Sequence, residues 1–370
     1  MPSPEQIVAK KQFAGQKKTS MHRRSDSHDY SERRMYMITM EVEGRRPLFG
    51  RIIGNPYAPA NSSDAPRIEL TELGRAVHDE WMGIHTYYPQ IEVRAVQMMP
   101  DHMHGILFVK SRLPVHLGQV ISGFKAGCRK RQRALEGAAA KPQPTEKKGA
   151  QSAGEQEARS AGMEGEAANR AAASPQVAAL PPQGTAQLFA KGYNDLILRS
   201  YEELQNWEHY LRDNPRRLLL KRARPDWLRP FFNLKIGATT YSGIGNRNLL
   251  RSPRRLPVRV SRRLTKEQIE AVTTQYMEAA RHGAVLVSPA ISPGEKQVMR
   301  TAFDAGFPTI VLMENGFTAM SKPKGEQFDA CANGRLLMLS PWEHHNEKRA
   351  INAAQCTQLN LMAIEISSSD

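Results

Sequence analysis

His102 and His104 are separated by one apolar residue and followed by the apolar run Ile106-Leu107-Phe108-Val109. Side chains alternate across a strand, so histidines at i and i+2 look the same way, and two imidazoles on one side of a sheet can hold a divalent cation. Far downstream, Tyr210 and Asn214 stand at i and i+4, one turn apart on a single helix face. Two imidazoles and an amide oxygen would leave open positions on Mg²⁺ or Mn²⁺, and a phosphodiester oxygen could fill one of them. A phenol is a weak nucleophile near neutral pH, because its pKa is about 10, and it needs a nearby cation to favour the phenolate. The metal would supply that field, with Arg212, Arg216 or Arg217 adding to it. Attack by Tyr210 on a DNA phosphodiester would then leave a phosphotyrosine and a free hydroxyl, conserving the ester for later rejoining. Spacing alone leaves other readings open: a His-x-His pair can be core or surface, a tyrosine on an amphipathic helix can be core, and Asn214 before Pro215 can be a helix C-cap.

The elements that must position these residues can be read around them. Residues 35–43 alternate as a strand, residues 44–47 turn, and residues 48–53 are its expected partner strand. Residues 67–70 form a short third strand. Thr71 caps a helix whose buried face carries Leu73, Val77, Trp81 and Ile84. Residues 91–99 and 102–109 form a hairpin broken by Pro100-Asp101, with the histidines just after the turn. Residues 117–135 make an amphipathic helix with an apolar stripe of Leu117, Val120, Ile121, Phe124 and Cys128. Lys125, Arg129 and Arg133 fall at i, i+4 and i+8 beside it, either as a solvated face or as phosphate contacts. Ser200 and Glu203 form a capping-box pattern opening the helix that bears Tyr210, and Pro215 is expected to end it before a basic cluster containing Arg216 and Arg217.

Across its 370 residues the chain has room for two domains, and its formal net charge of +15 suits a polyanionic partner, nucleic acid first and an anionic membrane surface second. No apolar run approaches a membrane span, and the Lys- and Arg-rich N-terminus lacks the apolar core of a secretory signal. Cys128, Cys331 and Cys356 are scattered without a CxxC pair, which fits reduced cysteines in a cytoplasm rather than a zinc finger. Residues 1–34 read as a basic disordered arm. Residues 137–186, rich in Ala, Gly, Pro, Gln, Glu and Lys, read as a low-complexity linker inside the first domain.

A family resemblance joins these pieces. Met99-Pro100-Asp101-His102-Met103-His104-Gly105-Ile106-Leu107 resembles the HUH motif of single-tyrosine transposases. Tyr193-Asn194-Asp195-Leu196-Ile197-Leu198-Arg199, then Glu202-Glu203-Leu204, then Tyr210-Leu211-Arg212-Asp213-Asn214-Pro215 is similar to the corresponding block of REP-associated tyrosine transposases. The resemblance runs from about residue 35 to 230, apart from the linker. It implies an α+β fold: a ferredoxin-like antiparallel sheet carrying the histidines, with helices over one face, as an HUH endonuclease core. It further implies Mg²⁺ or Mn²⁺, a single-stranded or hairpin DNA substrate and a 5′-phosphotyrosine intermediate. Residue by residue, it makes His102 and His104 the metal pair, Tyr210 the nucleophile and Asn214 the third ligand. The linker departs from the usual family pattern, and the family varies between monomers and helix-exchanged dimers, so oligomeric state does not carry over.

From residue 256 strands and helices alternate, which argues a small parallel α/β domain over residues 240–370. Thr265 and Ser292 open helices with capping boxes. Ser288-Pro289-Ala290-Ile291-Ser292-Pro293-Gly294-Glu295 and Ala305-Gly306-Phe307-Pro308 resemble Rossmann-like domains of the DNA-processing-protein-A and LOG type. Ser292, Gly294 and the helix start behind them could hold a phosphate or serve only as a cap. Gly243-Ile244-Gly245 neither follows a clear strand nor opens a clear helix, and His344-His345 reads as surface. The sequence therefore leads to a cytoplasmic, nucleoid-associated DNA strand transferase, with Lys125, Arg129, Arg133, Arg216 and Arg217 on DNA. The alternatives are a domesticated, non-catalytic DNA-binding protein and a nucleotide-sensing regulator acting through its C-terminal domain.

Overall fold

A computed structural model describes residues 28–139, 187–347 and 349–368. Most of the basic arm and nearly all of the linker expected from sequence lie outside the described residues. The chain divides into two compact units. The first comprises Met1–Ile53 and Arg67–Asn214, and the second Gly54–Pro66 and Pro215–Asp370.

The first unit is built on a four-stranded antiparallel sheet in the order β4-β5-β1-β6. Its strands are β1 (Arg34–Glu41), β4 (Ile91–Met98), β5 (His102–Val109) and β6 (Asn194–Leu198). β2 (Gly50–Ile53) does not pair with β1 as the sequence led us to expect. It forms a separate two-stranded ribbon with β3 (Arg67–Leu70), because both edges of β1 are occupied, by β5 and β6. One sheet face, carrying Tyr36, Ile38, Met40, Met103 and Leu107, packs into a core with α1 (Glu72–Met82) and α3 (Leu117–Ala139). Thr71 caps α1 by accepting from the Gly74 N–H at 3.0 Å, and Trp81 from α1 meets Phe124 from α3 edge to face. Ile84 falls in a separate short turn of helix, α2 (Ile84–Tyr87), beyond Gly83. Gly105 is required where this layer closes. A Cβ there would lie 2.2 Å from the Trp81 ring, so the indole lies directly on the β5 backbone between His104 and Ile106.

The opposite face receives α4 (Tyr201–Ala223). Leu204 and Leu211 are buried with Met37, Ile106 and Leu198, and Trp207 and Tyr210 pack beside them. Helices therefore lie on both faces of the sheet. The Ser200 hydroxyl accepts from the Glu203 N–H at 3.1 Å, and the Glu203 carboxylate takes the Arg199 N–H at 2.6 Å. Pro215 does not end this helix, which runs on to Ala223. The residues after it are good helix formers, and Leu220 is buried in the second unit, so packing outweighs the one backbone bond that proline removes. α3 likewise runs to Ala139, past the expected start of the linker.

The second unit is a six-stranded sheet in the order β7-β8-β12-β11-β10-β9. A short helix, α5 (Pro225–Leu228), leads into it and buries Leu228 beside Ile244 and Phe328. The parallel part of the sheet consists of β9 (Arg255–Pro257), β10 (Val285–Ser288), β11 (Thr309–Leu312) and β12 (Leu336–Ser340). β7 (Phe231–Ile236) and β8 (Thr239–Gly245) add an antiparallel hairpin that sequence reading missed. Gly243 and Gly245 are strand residues of β8. A Cβ on Gly245 would stand 2.2 Å from the Leu336 carbonyl, so these glycines serve close pairing with β12. The strand expected at 258–261 lies three residues earlier, and Val258 and Val260 instead point into the core. Helices α6 (Lys266–Arg281) and α7 (Pro293–Asp304) pack into the core on one face, with β12 also packed against α8 (Gly325–Ala332). The other face is covered by α9 (Ala353–Ser368).

Candidate active site

Alternation along β5 puts His102, His104, Ile106 and Phe108 on one face. Ile106 packs with Leu204 and Leu211 of α4, so the histidines look out on the sheet face that receives this helix. Across the ladder, Glu41 is opposite His102 and Thr39 opposite His104 on β1, while Gln97 is opposite His104 on β4. The two imidazoles meet edge on, with ring centroids 4.9 Å apart.

Each ring is held at Nδ1. His102 Nδ1 lies 2.7 Å from an Asp101 carboxylate oxygen, and His104 Nδ1 lies 2.8 Å from the Thr39 hydroxyl. Asp101 is steadied by Arg45 at 3.4 Å, and Arg45 also pairs with Glu41. Burial, helped by His102 and Arg45, pushes the His104 pKa down to about 3, so this ring is neutral at physiological pH. A neutral imidazole whose Nδ1 is engaged presents Nε2 as its donor atom. His104 meets that condition, and each ring has an oxygen partner behind its Nδ1, the kind of support that orients a metal-ligating histidine. The donor set therefore fits a divalent cation. Among the described residues no group of three His, Cys, Asp or Glu side chains gathers to hold a metal, so a third protein ligand would have to be of another type, such as an amide.

Tyr210 is partly buried in the cluster formed by Met37, Ile106, Leu204 and Leu211, edge on to Trp207 at a centroid separation of 5.3 Å. Asn214, one turn on, is buried, and its side-chain nitrogen finds no hydrogen-bond partner. A flip of the amide exchanges its oxygen and nitrogen without altering the packing. A buried amide with an unsatisfied end is a polar group that a ligand would satisfy. The first unit thus contains all four residues, His102, His104, Tyr210 and Asn214, with both histidines and the tyrosine helix on one face of one sheet.

The basic residues expected on DNA separate into two groups. Lys125 donates to the carbonyls of Ala190 at 3.0 Å and Gly192 at 2.5 Å, so it ties α3 to the segment leading into β6. Arg216 pairs with Asp329 at 2.5 Å, and Arg217 lies 3.6 Å above the Phe328 ring, both within the second unit. Arg129 and Arg133 are exposed on α3, while neighbouring Arg131 reaches Glu80 at 3.5 Å. Sequence reading did not single out Thr39, Asp101 or Arg45. Thr39 becomes visible only through the β1–β5 register, whereas Asp101 stands inside the Met99–Leu107 motif with no role assigned to it from sequence.

In the second unit, Ser292 and Glu295 form a complete capping box. The buried Glu295 carboxylate accepts from the Ile291 and Ser292 N–H groups at 2.9 and 3.0 Å. The anion-binding end of α7 is therefore filled by its own side chain. His344 and His345 each turn Nδ1 to a backbone carbonyl, of Gly316 at 3.0 Å and Glu347 at 2.8 Å.

No family model matches the chain. A curated uncharacterized protein of Haemophilus influenzae is 28% identical over 129 residues, which take in 29% of this chain and 66% of that protein, so the chain spans just under two thirds of that relative's length. Two solved structures are similar to parts of the chain. The structure of a REP-associated tyrosine transposase bound to a REP hairpin is 11% identical, with a TM-score of 0.28, over 52% of this chain and 73% of that one. DNA processing protein A from Helicobacter pylori, described for its single-stranded DNA binding mode, is 20% identical, with a TM-score of 0.26, over 35% of this chain and 57% of that one.

Proposed function

We propose that the first unit is a metal-dependent DNA strand transferase that cleaves and rejoins single-stranded or hairpin DNA through Tyr210. The observation that carries this reading is the pair of imidazoles fixed at Nδ1 by Asp101 and Thr39, on the sheet face that also receives the tyrosine helix. His102 and His104, with Asn214, would hold Mg²⁺ or Mn²⁺, which when bound supplies Lewis-acid polarisation of the scissile phosphate. His104 takes part as a neutral donor, because burial keeps it unprotonated. The Tyr210 oxygen attacks phosphorus and its proton passes to solvent. The bond to the 3′ oxygen breaks, and that oxygen leaves with the electron pair and takes up a proton. The product is a 5′-phosphotyrosine and a free 3′ hydroxyl, and attack by a 3′ hydroxyl reverses the step with no net loss of phosphoester.

The test is a covalent adduct. The full chain is incubated with structured single-stranded oligonucleotides and Mg²⁺ or Mn²⁺, then separated under denaturing conditions. A protein–DNA band that disappears in Tyr210→Phe, while DNA binding persists, is the expected result. An undiminished band in that variant would overturn the assignment of the nucleophile. Binding with no cleavage across metals and substrates would favour a non-catalytic DNA-binding protein.

A further inference from the structure

The segment from residue 247 to 266 in the second unit contains Arg247, Arg251, Arg254, Arg255, Arg259, Arg262, Arg263 and Lys266, and no acidic residue. It comprises a short 3-10 turn (Arg247–Arg251), then β9, then the loop into α6. β9 pairs with β10 and lies at an edge of the six-stranded sheet. All of these cations except Arg255 are exposed. Arg255 is half-buried, and its Nε has no hydrogen-bond partner. Elsewhere in this unit, arginines pair with acids: Arg216 with Asp329, Arg281 with Glu278, Arg300 with Asp304 and Glu326. None of the eight cations in this segment has such a pair among the described residues, although Glu267 and Glu270 stand at the start of α6.

We infer that this sheet edge is a binding surface for the phosphodiester backbone of single-stranded nucleic acid, separate from the Tyr210 site. Protection of an exposed strand edge from pairing explains one or two charges and Pro257, but not eight cations of one sign. The mutual repulsion of such a strip is relieved by a polyanion, whose bound counterions are released in exchange. Seven of the eight cations are arginine, which keeps its charge throughout the physiological pH range. The apolar residues of the segment do not share the surface. Leu249 and Leu250 pack in one core of this unit, and Leu256, Val258, Val260 and Leu264 in another. A lipid surface would call for apolar side chains among the charges, and the strip offers none outward. β9 itself carries only Arg255, and the exposed cations flank it in the 3-10 turn and in the loop into α6, so the charge is spread along the segment rather than gathered at a point. This inference goes beyond the strand-transfer reading and does not depend on it.

The experiment uses the full chain with a fluorescein-labelled oligo(dT), titrated by anisotropy across a range of salt concentrations. A variant carrying Arg254→Ser, Arg259→Ser, Arg262→Ser and Arg263→Ser is compared with the four Arg→Lys changes and with Tyr210→Phe. The serine variant should bind about tenfold more weakly at moderate salt, with a salt slope lower by up to about 3, at roughly 0.7 for each phosphate no longer neutralised. The lysine variant should keep most of the affinity, and Tyr210→Phe all of it. Both arginine variants should melt like the parent, since the substituted arginines are exposed. Unchanged affinity and slope in the serine variant would overturn the inference, whatever the adduct assay shows. So would equal losses in the serine and lysine variants, or, when phosphatidylglycerol vesicles are titrated in parallel, a loss confined to vesicle binding.

Discussion

The Thr39 hydroxyl lies 2.8 Å from Nδ1 of His104, across the β1–β5 ladder, and the same hydroxyl has the Met37 sulfur at 3.5 Å. A hydroxyl has one proton to donate. If His104 carries its hydrogen on Nδ1, Thr39 accepts it and turns its own proton toward sulfur, which leaves Nε2 as the donor atom. Asp101 does the same for His102 from the preceding residue. Removing either support should weaken divalent-cation binding about 10- to 100-fold. Thr39→Val and Asp101→Asn are the variants, and Mn²⁺ titration followed by electron paramagnetic resonance is the readout. Mn²⁺ should bind more tightly than Mg²⁺, because Mg²⁺ gives up its water ligands reluctantly and favours an all-oxygen shell. Unaltered Mn²⁺ affinity in both variants would separate these histidines from metal binding.

Acid should weaken the first unit through His104. Its folded pKa is about 3, below the ordinary histidine value of 6.5. Between those limits the unfolded chain binds a proton that the folded chain refuses. Stability is therefore fully present above about pH 6.5 and declines as pH falls toward 3. Urea midpoints measured from pH 7 down to pH 4 should fall more steeply in the parent than in His104→Gln. Parallel curves would show that the buried ring contributes nothing to the acid limb.

Gly105→Ala should destabilise the fold by about 1–3 kcal/mol, because the new methyl would stand 2.2 Å from the Trp81 ring. Thermal unfolding measures the loss. The strain falls on the backbone between His104 and Ile106, so Mn²⁺ affinity should drop with it. A variant as stable as the parent would mean that the indole can slide.

Pro215 occupies the interior of α4, where it offers no N–H to the Leu211 carbonyl. Pro215→Ala should restore that bond and raise stability by about 2 kcal/mol, less what the freer unfolded chain takes back. Chemical denaturation of the full chain tests this. A lower midpoint would assign the proline ring a packing role that outweighs the missing bond.

The local grammar of the chain was readable where a single element decides it. The caps at Thr71, Thr265 and Ser292, the hairpin around Pro100-Asp101 and the buried strands of the second unit follow from neighbouring residues alone. Long-range pairing was not. Nothing in residues 48–53 shows that β1 already has two partners, so the assignment of β2 failed. Pro215 reads as a helix end in sequence because its local cost is visible there, whereas the burial of Leu211 and Leu220 on either side is not. At the candidate site, the histidine pair and the tyrosine–asparagine pair were visible as spacing. The placing of α4 on the histidine face needed the alternation of β5 together with the burial of Ile106. Lys125, Arg216 and Arg217 show the complementary limit, since a basic residue read as a phosphate ligand looks the same in sequence as one that ties two elements together.

The anchoring of the chain on either side of residues 140–186 sets a minimum tether. On one side α3 runs to Ala139; on the other, Phe189 bridges Val42 and the Ala190 and Gly192 carbonyls are held by Lys125. At 1.5 Å per residue, the helix from Lys125 to Ala139 extends about 21 Å beyond that anchor. Any replacement for the intervening segment must span at least that distance back, which takes about seven extended residues. Above that floor, length is nearly free, since each doubling of a loop costs only about 0.6 kcal/mol. On either side of residues 140–186 the first unit is held by its own contacts, the Lys125 clasp and the β1–β6 ladder, so a replacement segment above that floor should leave the sheet unaltered.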